Sequence, residues 1–416
     1  MQVLEIVRPS SPTEDFRGQY GELNCYSSIR GAIEAEASND SVHLFFPDVL
    51  QDKAAEFLTG FRGRSMYAVK ANPHAEVLKT LYTAGVRDFD VASIREVELV
   101  AGLLPGAKLY FMHPIKSRQA IQRAYMMGVR AFAFDHMDEL NKILEETGYA
   151  EDLELFLRLG VSAKGAAYEL SGKFGAPLDM APMLLSRARQ VAMKLGVSFH
   201  VGSQCMRPGA FSEAILQAAA VVGHAGIKLD VIDVGGGFPV AYPGMEPPAL
   251  DSYFQTIHSA LDMHGFADAE TLCEPGRALV AESGAVAARV ELRKGTDLYL
   301  NDGTYGALFD AGVPEWPFPL SLITADGRAT LDETSFYRCF GPTCDSCDKM
   351  EGPFPLPVDV AEGDWVIFEH LGAYGHTMQA RFNGFYSETM VAISRETDTP
   401  NTISVPTLVA APTLIA

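Results

Sequence analysis

The stretch "SMYAVKANPH", residues 65–74, closes an apolar run with a single lysine, Lys70. Desolvating an ammonium is costly unless it is paired or chemically used. Lys70 is therefore either a side chain that snorkels from a strand end to water or an amine kept for covalent chemistry on a carbonyl. Two further stretches bear on that choice. In "DVGGGFP", Gly235, Gly236 and Gly237 let the backbone approach an anion closely and aim several N–H groups at it. In "TLCEPGRALV", the acid Glu274 precedes a permanent cation, Arg277. Each is common alone, and the glycine run is neither a Walker loop nor GxGxxG. Their value depends on where the fold puts them.

Short apolar runs recur between residues 65 and 280, separated by stretches with helical spacing. The runs read as strands are "SMYAVKAN", "VRDFDVAS", "KLYFMHP", "VRAFAFDH", "LELFLRLG", "SFHVGSQ", "LDVIDVGGGF" and "TLCEPGRALV". Eight strands alternating with helices predict a closed (β/α)8 barrel, with an open doubly wound sheet as the alternative. Lys70, Asp90, His113, Asp135, Arg158, His200, Gly235–Gly237, Glu274 and Arg277 then fall where strands finish. That rim is where barrels carry their active sites, with phosphate often held after strands seven and eight. After residue 284 the pattern shifts to period two, as in "ARVELRKGTDLYLNDG" and "NTISVPTLV". The predicted division is a barrel over residues 41–283 and an all-β domain over 284–416, completed by residues 1–40.

A net charge of −20 argues against nucleic acid, which selects a basic face. No apolar run reaches membrane-spanning length, and the N-terminus lacks the basic and apolar regions of a secretory leader. Six cysteines in 416 residues are no disulfide framework, which points to a reducing cytoplasm. Three of them, Cys339, Cys344 and Cys347, crowd into "CFGPTCDSC". No second CxxC or His pair follows at ligand spacing, so no metal is expected, and a single working thiol stays open.

A phosphate cradle, an amine within its reach and an acid across the rim suit pyridoxal phosphate, which condenses with lysine and needs a partner for its ring nitrogen. The chain resembles the fold-type-III pyridoxal-phosphate decarboxylases, the family of ornithine and diaminopimelate decarboxylases. The stretches that carry the resemblance are "YAVKAN", "FDVAS", "HVGSQ", "DVGGGFP", "EPGRALV", "LNDGTYGALFD", "GPTCDSCD", "GAYG" and "FNGF", in the family's order from residue 67 to residue 385. The resemblance implies that Lys70 is the Schiff-base lysine, that Glu274 pairs with the pyridine nitrogen and that His200 stacks on the ring. It implies cofactor contacts from Asp90, Arg158, Ser203, Gly235, Gly236, Gly237, Gly276, Arg277 and Tyr374.

It further implies a homodimer with shared sites, in which Cys344 of the other subunit protonates the substrate carbon. Asp310, Asp345 and Phe382 fall at substrate positions, the two acids where the family holds the far amine. Lys173 and Asp348 fall where the family forms an ion pair across subunits. "GPTCDSCD" resembles the ornithine branch more than the diaminopimelate branch, so ornithine to putrescine is the expected reaction. The alternatives are lysine alone or lysine and ornithine together, then diaminopimelate, and outside catalysis an inactive homologue of the antizyme-inhibitor kind. The segment from "NDGTYG" to Asp310 is several residues shorter than in the eukaryotic enzymes, which changes the far end of the pocket.

Overall fold

The computed structural model describes residues 23–162, 164–168 and 172–394. Two short strands, β1 (Cys25–Tyr26) and β2 (Val42–Phe45), precede a closed barrel. Its eight parallel strands follow in the order β3 (Arg64–Ala68), β4 (Asp88–Val91), β5 (Lys108–Phe111), β6 (Ala131–Phe134), β7 (Glu154–Arg158), β9 (Lys194–Ser198), β11 (Val231–Asp233) and β12 (Glu270–Cys273), and β12 pairs back onto β3. A two-stranded antiparallel sheet, β8 (Ala166–Tyr168) with β10 (Ser203–Cys205), stands outside the barrel wall.

The period-two alternation explains how the barrel fills. Met66, Tyr110, Ala131, Ala133, Phe156, Val231 and Leu272 belong to one small interior cluster. Their neighbours in sequence, among them Tyr67, Phe111, Phe132, Phe134, Leu157 and Ile232, join the large core shared with the helices. Burying each of the phenylalanines contributes about 2–3 kcal/mol, so one-residue slips of register are strongly disfavoured. The sixth strand lies earlier than its sequence run: it is Lys194–Ser198, and His200 follows its end. Gly196 hides it in the sequence, because it contributes no side chain to the alternation. A Cβ there would stand 2.7 Å from the Phe156 ring, which occupies that interior space.

The remaining strands are β13 (Gly284–Lys294), β14 (Asp297–Leu300), β15 (Leu320–Ile323), β16 (Thr334–Phe340), β17 (Lys349–Pro357), β18 (Trp365–Phe368) and β19 (Met390–Ile393). They form one nine-stranded sheet together with β1 and β2. Because β2 pairs with β13 and β19, the N-terminal contribution to this domain runs to Phe45, and the division expected after residue 40 moves accordingly. The strand expected in "NTISVPTLV" and the first part of the N-terminal segment lie outside the described residues.

One loop of the β domain is fastened to the barrel rim. The Tyr374 N–H donates to the Ala71 carbonyl at 2.8 Å, and the Asn72 side chain donates to the Gly372 carbonyl at 2.8 Å. Gly372 packs so closely that a Cβ would lie 1.9 Å from the Val280 carbonyl oxygen. The loop carrying Tyr374 is thereby fixed to the turn carrying Lys70. Among the described residues no helix is long and apolar enough to cross a membrane.

Candidate active site

Chain leaving β3 enters a single 3-10 turn, Val69–Ala71, which places Lys70 over the barrel mouth. Its side chain is 43% exposed, and its Nζ lies 3.4 Å from Oδ2 of Asp90 at the end of β4. Burial works against the ammonium, but the charges of Asp90, then Tyr374 and Glu274, outweigh it and hold Lys70 above the usual lysine range. The lysine is thus paired at the barrel mouth. It points into a cleft whose walls include His200, Ser203, Gly237, Glu274, Gly276, Arg277 and Tyr374.

His200 accepts the Gly202 N–H on Nδ1 at 2.9 Å, which leaves the other nitrogen as the donor of a neutral ring. Burial, then the cations Arg158 and Lys70, push its pKa well below the ordinary value. An uncharged imidazole suits a flat stacking face. Arg158, at the end of β7, acts here through its charge and is not among the cleft's walls.

The glycine run is required by close approach. Gly235 has φ +69° and its Cβ would lie 1.8 Å from the Phe199 carbonyl oxygen. A Cβ on Gly236 would meet the Glu274 carbonyl oxygen at 2.6 Å, and one on Gly237 the Gly202 carbonyl oxygen at 2.4 Å. Beneath them Asp233 accepts the Gly235 N–H at 2.9 Å, and the Glu274 N–H donates to the Gly235 carbonyl at 2.8 Å. Asp233 and Glu274 are both buried, and Oδ2 of Asp233 has no hydrogen-bond partner among the described residues. Burial, then the charges of Asp233 and Asp90, push Glu274 well above the carboxylate range. Asp233 rises to about 6, again through burial first. Burial and the neighbouring acid thus disfavour the charged form of both groups.

Arg277 forms the opposite wall and is also buried. Its Nη2 lies 3.0 Å from Oδ2 of Asp310, its Nη1 donates to the Tyr242 hydroxyl at 3.3 Å, and the guanidinium carbon sits 3.7 Å from the Trp316 ring centre. Its Nε–H is buried without a partner among the described residues. The resemblance puts Asp310 at the far amine of a substrate; in the structure its carboxylate lies beside the Arg277 guanidinium, and its Oδ2 is buried without a hydrogen-bond partner among the described residues.

Cys344, Asp345 and Phe382 gather elsewhere. The Cys344 thiol and backbone N–H both donate to Oδ1 of Asn383 at 3.2 Å, and the Tyr305 hydroxyl donates to Asp345 at 2.8 Å. Tyr305 also packs against Phe382, with ring centres 5.2 Å apart. The Cys347 N–H and the Tyr305 hydroxyl hold Asp345 below the usual carboxylate range. This patch is exposed and contributes nothing to the cleft around Lys70. Sequence reasoning does not single out Tyr305 and Asn383, although "NDGTYG" and "FNGF" contain them. Their types carry no signal until the fold sets them beside Cys344 and Asp345.

Asp348 closes the "GPTCDSCD" loop. It is buried in its own chain, where it accepts from the Thr304 N–H at 2.8 Å and from both the N–H and hydroxyl of Thr343 at 3.0 and 2.7 Å. Gly303 and Gly341 leave room for it, since a Cβ on either would stand about 2 Å from its carboxylate. A carboxylate so enclosed organises the "GPTCDSCD" loop from within its own chain.

Residues 49–281 match the family model described as "Pyridoxal-dependent decarboxylase, pyridoxal binding domain". The chain belongs to that family. The chain is 35% identical to ornithine decarboxylase of Panagrellus redivivus over 77% of each sequence. It is 33% identical to antizyme inhibitor 2 of Xenopus laevis over 78% of this chain and 74% of that one. Its fold superposes on the lysine/ornithine decarboxylase of Vibrio vulnificus complexed with cadaverine with a TM-score of 0.76, at 31% identity over 88% of this chain and 97% of the other. The family's cofactor, pyridoxal phosphate, fits the decarboxylase cleft described above. The unpartnered Nε–H of Arg277 and the backbone bared by Gly235–Gly237 suit its phosphate, buried Glu274 beside Asp233 suits its ring nitrogen, and Lys70 lines the same cleft.

Proposed function

We propose that this chain decarboxylates a basic L-amino acid, ornithine in the first place, releasing putrescine. The observation that carries this reading is the separation of two half-sites on one chain. The cleft holds Lys70, Glu274 and the anion cradle, while an ionised Asp345 lies beside Cys344 on an exposed patch. A homodimer that sets this patch over the cleft of a second copy completes the site.

When bound, pyridoxal phosphate supplies an aldehyde that condenses with primary amines and a protonated ring that accepts the electron pair freed with carbon dioxide. Lys70 offers the resident amine, and Asp90 takes up the charge whenever that amine is protonated. Glu274, backed by Asp233, holds a proton and then a negative charge at the deep end of the cleft, where a buried charge acts most strongly. His200 stays neutral and presents a flat face. The Cys344 thiol of the second copy returns a proton to the substrate carbon, a step thiols perform more readily than hydroxyls near neutral pH. The same copy's Asp345 meets the cationic far end of the substrate, which an uncharged side chain would leave unpaired.

Lysine is the second reading, because the segment before Asp310 is short and changes the far end of the pocket. A steady-state comparison of ornithine, lysine, arginine and diaminopimelate, read by carbon dioxide release and amine identification, tests the proposal. Ornithine is expected to lead. Preference for diaminopimelate overturns the branch, and no release from any of the four favours a non-catalytic role.

A further inference from the structure

We propose that Asn383 is a positioning residue for the proton that Cys344 returns, deciding which carbon receives it. The inference rests on the reading of Cys344 as the donor.

One amide oxygen holds Cys344 twice. Oδ1 of Asn383 accepts both the backbone N–H and the thiol of Cys344 at 3.2 Å. Two donors converge on one atom, so the amide must present its oxygen there. A side chain fixed at its own backbone and at its own tip loses freedom about the bonds between them. Delivery of a proton is sensitive to placement on the scale of about an ångström. Asp345 is held differently, by the Tyr305 hydroxyl at 2.8 Å and the Cys347 N–H at 2.9 Å. These neighbours in sequence have separate supports, so the effect of Asn383 separates from recognition of the substrate's far end.

The chain around Asn383 holds that amide in place. Residues 379–387 form a loop closed at its base by the Gln379 side chain. Its oxygen accepts the Ser387 N–H at 3.0 Å, and its nitrogen donates to the Ser387 carbonyl at 3.1 Å. The Ala380 N–H donates to the Tyr305 carbonyl at 2.8 Å, and Phe382 packs on the Tyr305 ring. Asn383 lies between, with φ +54°, in the left-handed region that asparagine enters more readily than most side chains. Glycine would suit that backbone but lacks the oxygen. Asparagine meets both demands without setting a charge beside the thiol.

The electron pair left when carbon dioxide departs takes a proton at the substrate carbon to give the amine. If the proton goes instead to the former aldehyde carbon of the cofactor, the substrate nitrogen stays on the cofactor. The water lost on condensation is then taken up again, and the substrate leaves as an aldehyde. The ratio of aldehyde to amine therefore reports where the thiol stands.

Two variants test this: Asn383→Gly keeps the left-handed turn and removes the oxygen, and Asn383→Asp keeps the oxygen. One readout needs no turnover. Cofactor-free protein is treated with iodoacetamide, and labelling at Cys344 and at Cys347 is followed by peptide mass spectrometry. In Asn383→Gly, Cys344 should label roughly fivefold faster, the scale of one lost hydrogen bond, with Cys347 within about twofold. The other readout uses holoenzyme and ornithine. The aldehyde-to-amine ratio should rise about tenfold in Asn383→Gly while KM stays within about threefold, and Asn383→Asp should keep a ratio near wild type. Unchanged labelling and an unchanged ratio in Asn383→Gly overturn the proposal. So does a ratio raised equally in both variants, because the oxygen is then not what matters. Cys344→Ala serves as the reference. If its ratio matches wild type, the reading of Cys344 falls and this inference with it; if its ratio rises and that of Asn383→Gly does not, only the role of Asn383 fails.

Discussion

Replacing Asp233 by asparagine should make the cofactor-free protein more resistant to rising pH. Asp233 and Glu274 face each other in a buried site, and Asp233 moves from an ordinary value of 3.8 to about 6. For an acid raised on folding, the stabilising proton is fully bound below the unfolded pKa. Its contribution is lost as pH climbs through the folded value. A shift of about two units corresponds to about 3 kcal/mol, shed between roughly pH 4 and pH 7. The Asp233→Asn variant has no such proton to lose: its amide keeps an oxygen for the Gly235 N–H and can donate to an ionised Glu274. The assay is urea unfolding of wild type and variant without cofactor, at several pH values from about 4.5 to 7.5, with the difference between them plotted against pH. The variant should gain on wild type by about 3 kcal/mol across that window and then run parallel to it. A difference independent of pH, or one that moves against the variant as pH rises, refutes the shared-proton account.

Other consequences are more local. In Lys70→Ala, borohydride should no longer fix pyridoxal phosphate covalently to the protein, as peptide mass spectrometry would show, and turnover should fall by at least about a thousandfold. Labelling at another lysine with retained turnover would move the assignment. Gly235→Ala should abolish tight cofactor binding and destabilise the barrel by more than about 2 kcal/mol, since the Cβ meets the Phe199 carbonyl at a positive φ. A soluble variant with wild-type melting temperature and cofactor affinity would contradict this. Glu274→Gln should retain cofactor yet slow decarboxylation by about two orders of magnitude or more, measured as carbon dioxide release at saturating substrate. An unchanged rate would assign the ring nitrogen another partner.

The barrel was legible because eight apolar runs end in polar or glycine residues, and those endings do converge on one mouth. Lys70, Glu274 and the glycine run could be read because their types are odd for strand ends. Gly196 blurred the sixth strand, having no side chain to mark either face. Asp310 and Asp348 were assigned by position, and no spacing could show that one lies beside Arg277 and the other is enclosed by Thr304 and Thr343. Trp316, Tyr242, Tyr305 and Asn383 emerge only from tertiary packing. They act by touching residues distant in sequence, and their types alone favour core or turn.

The central claim is that the Lys70 cleft and the Cys344 patch of one chain serve different sites of a dimer. Mixing Lys70→Ala and Cys344→Ala chains under conditions that exchange subunits measures this directly. A mixed dimer has one site with both defects and one with neither, so equal mixing should restore about a quarter of wild-type activity, while either variant alone stays inactive. Verified exchange with no recovery would contradict the shared site and confine Cys344 to its own chain or remove it from the chemistry.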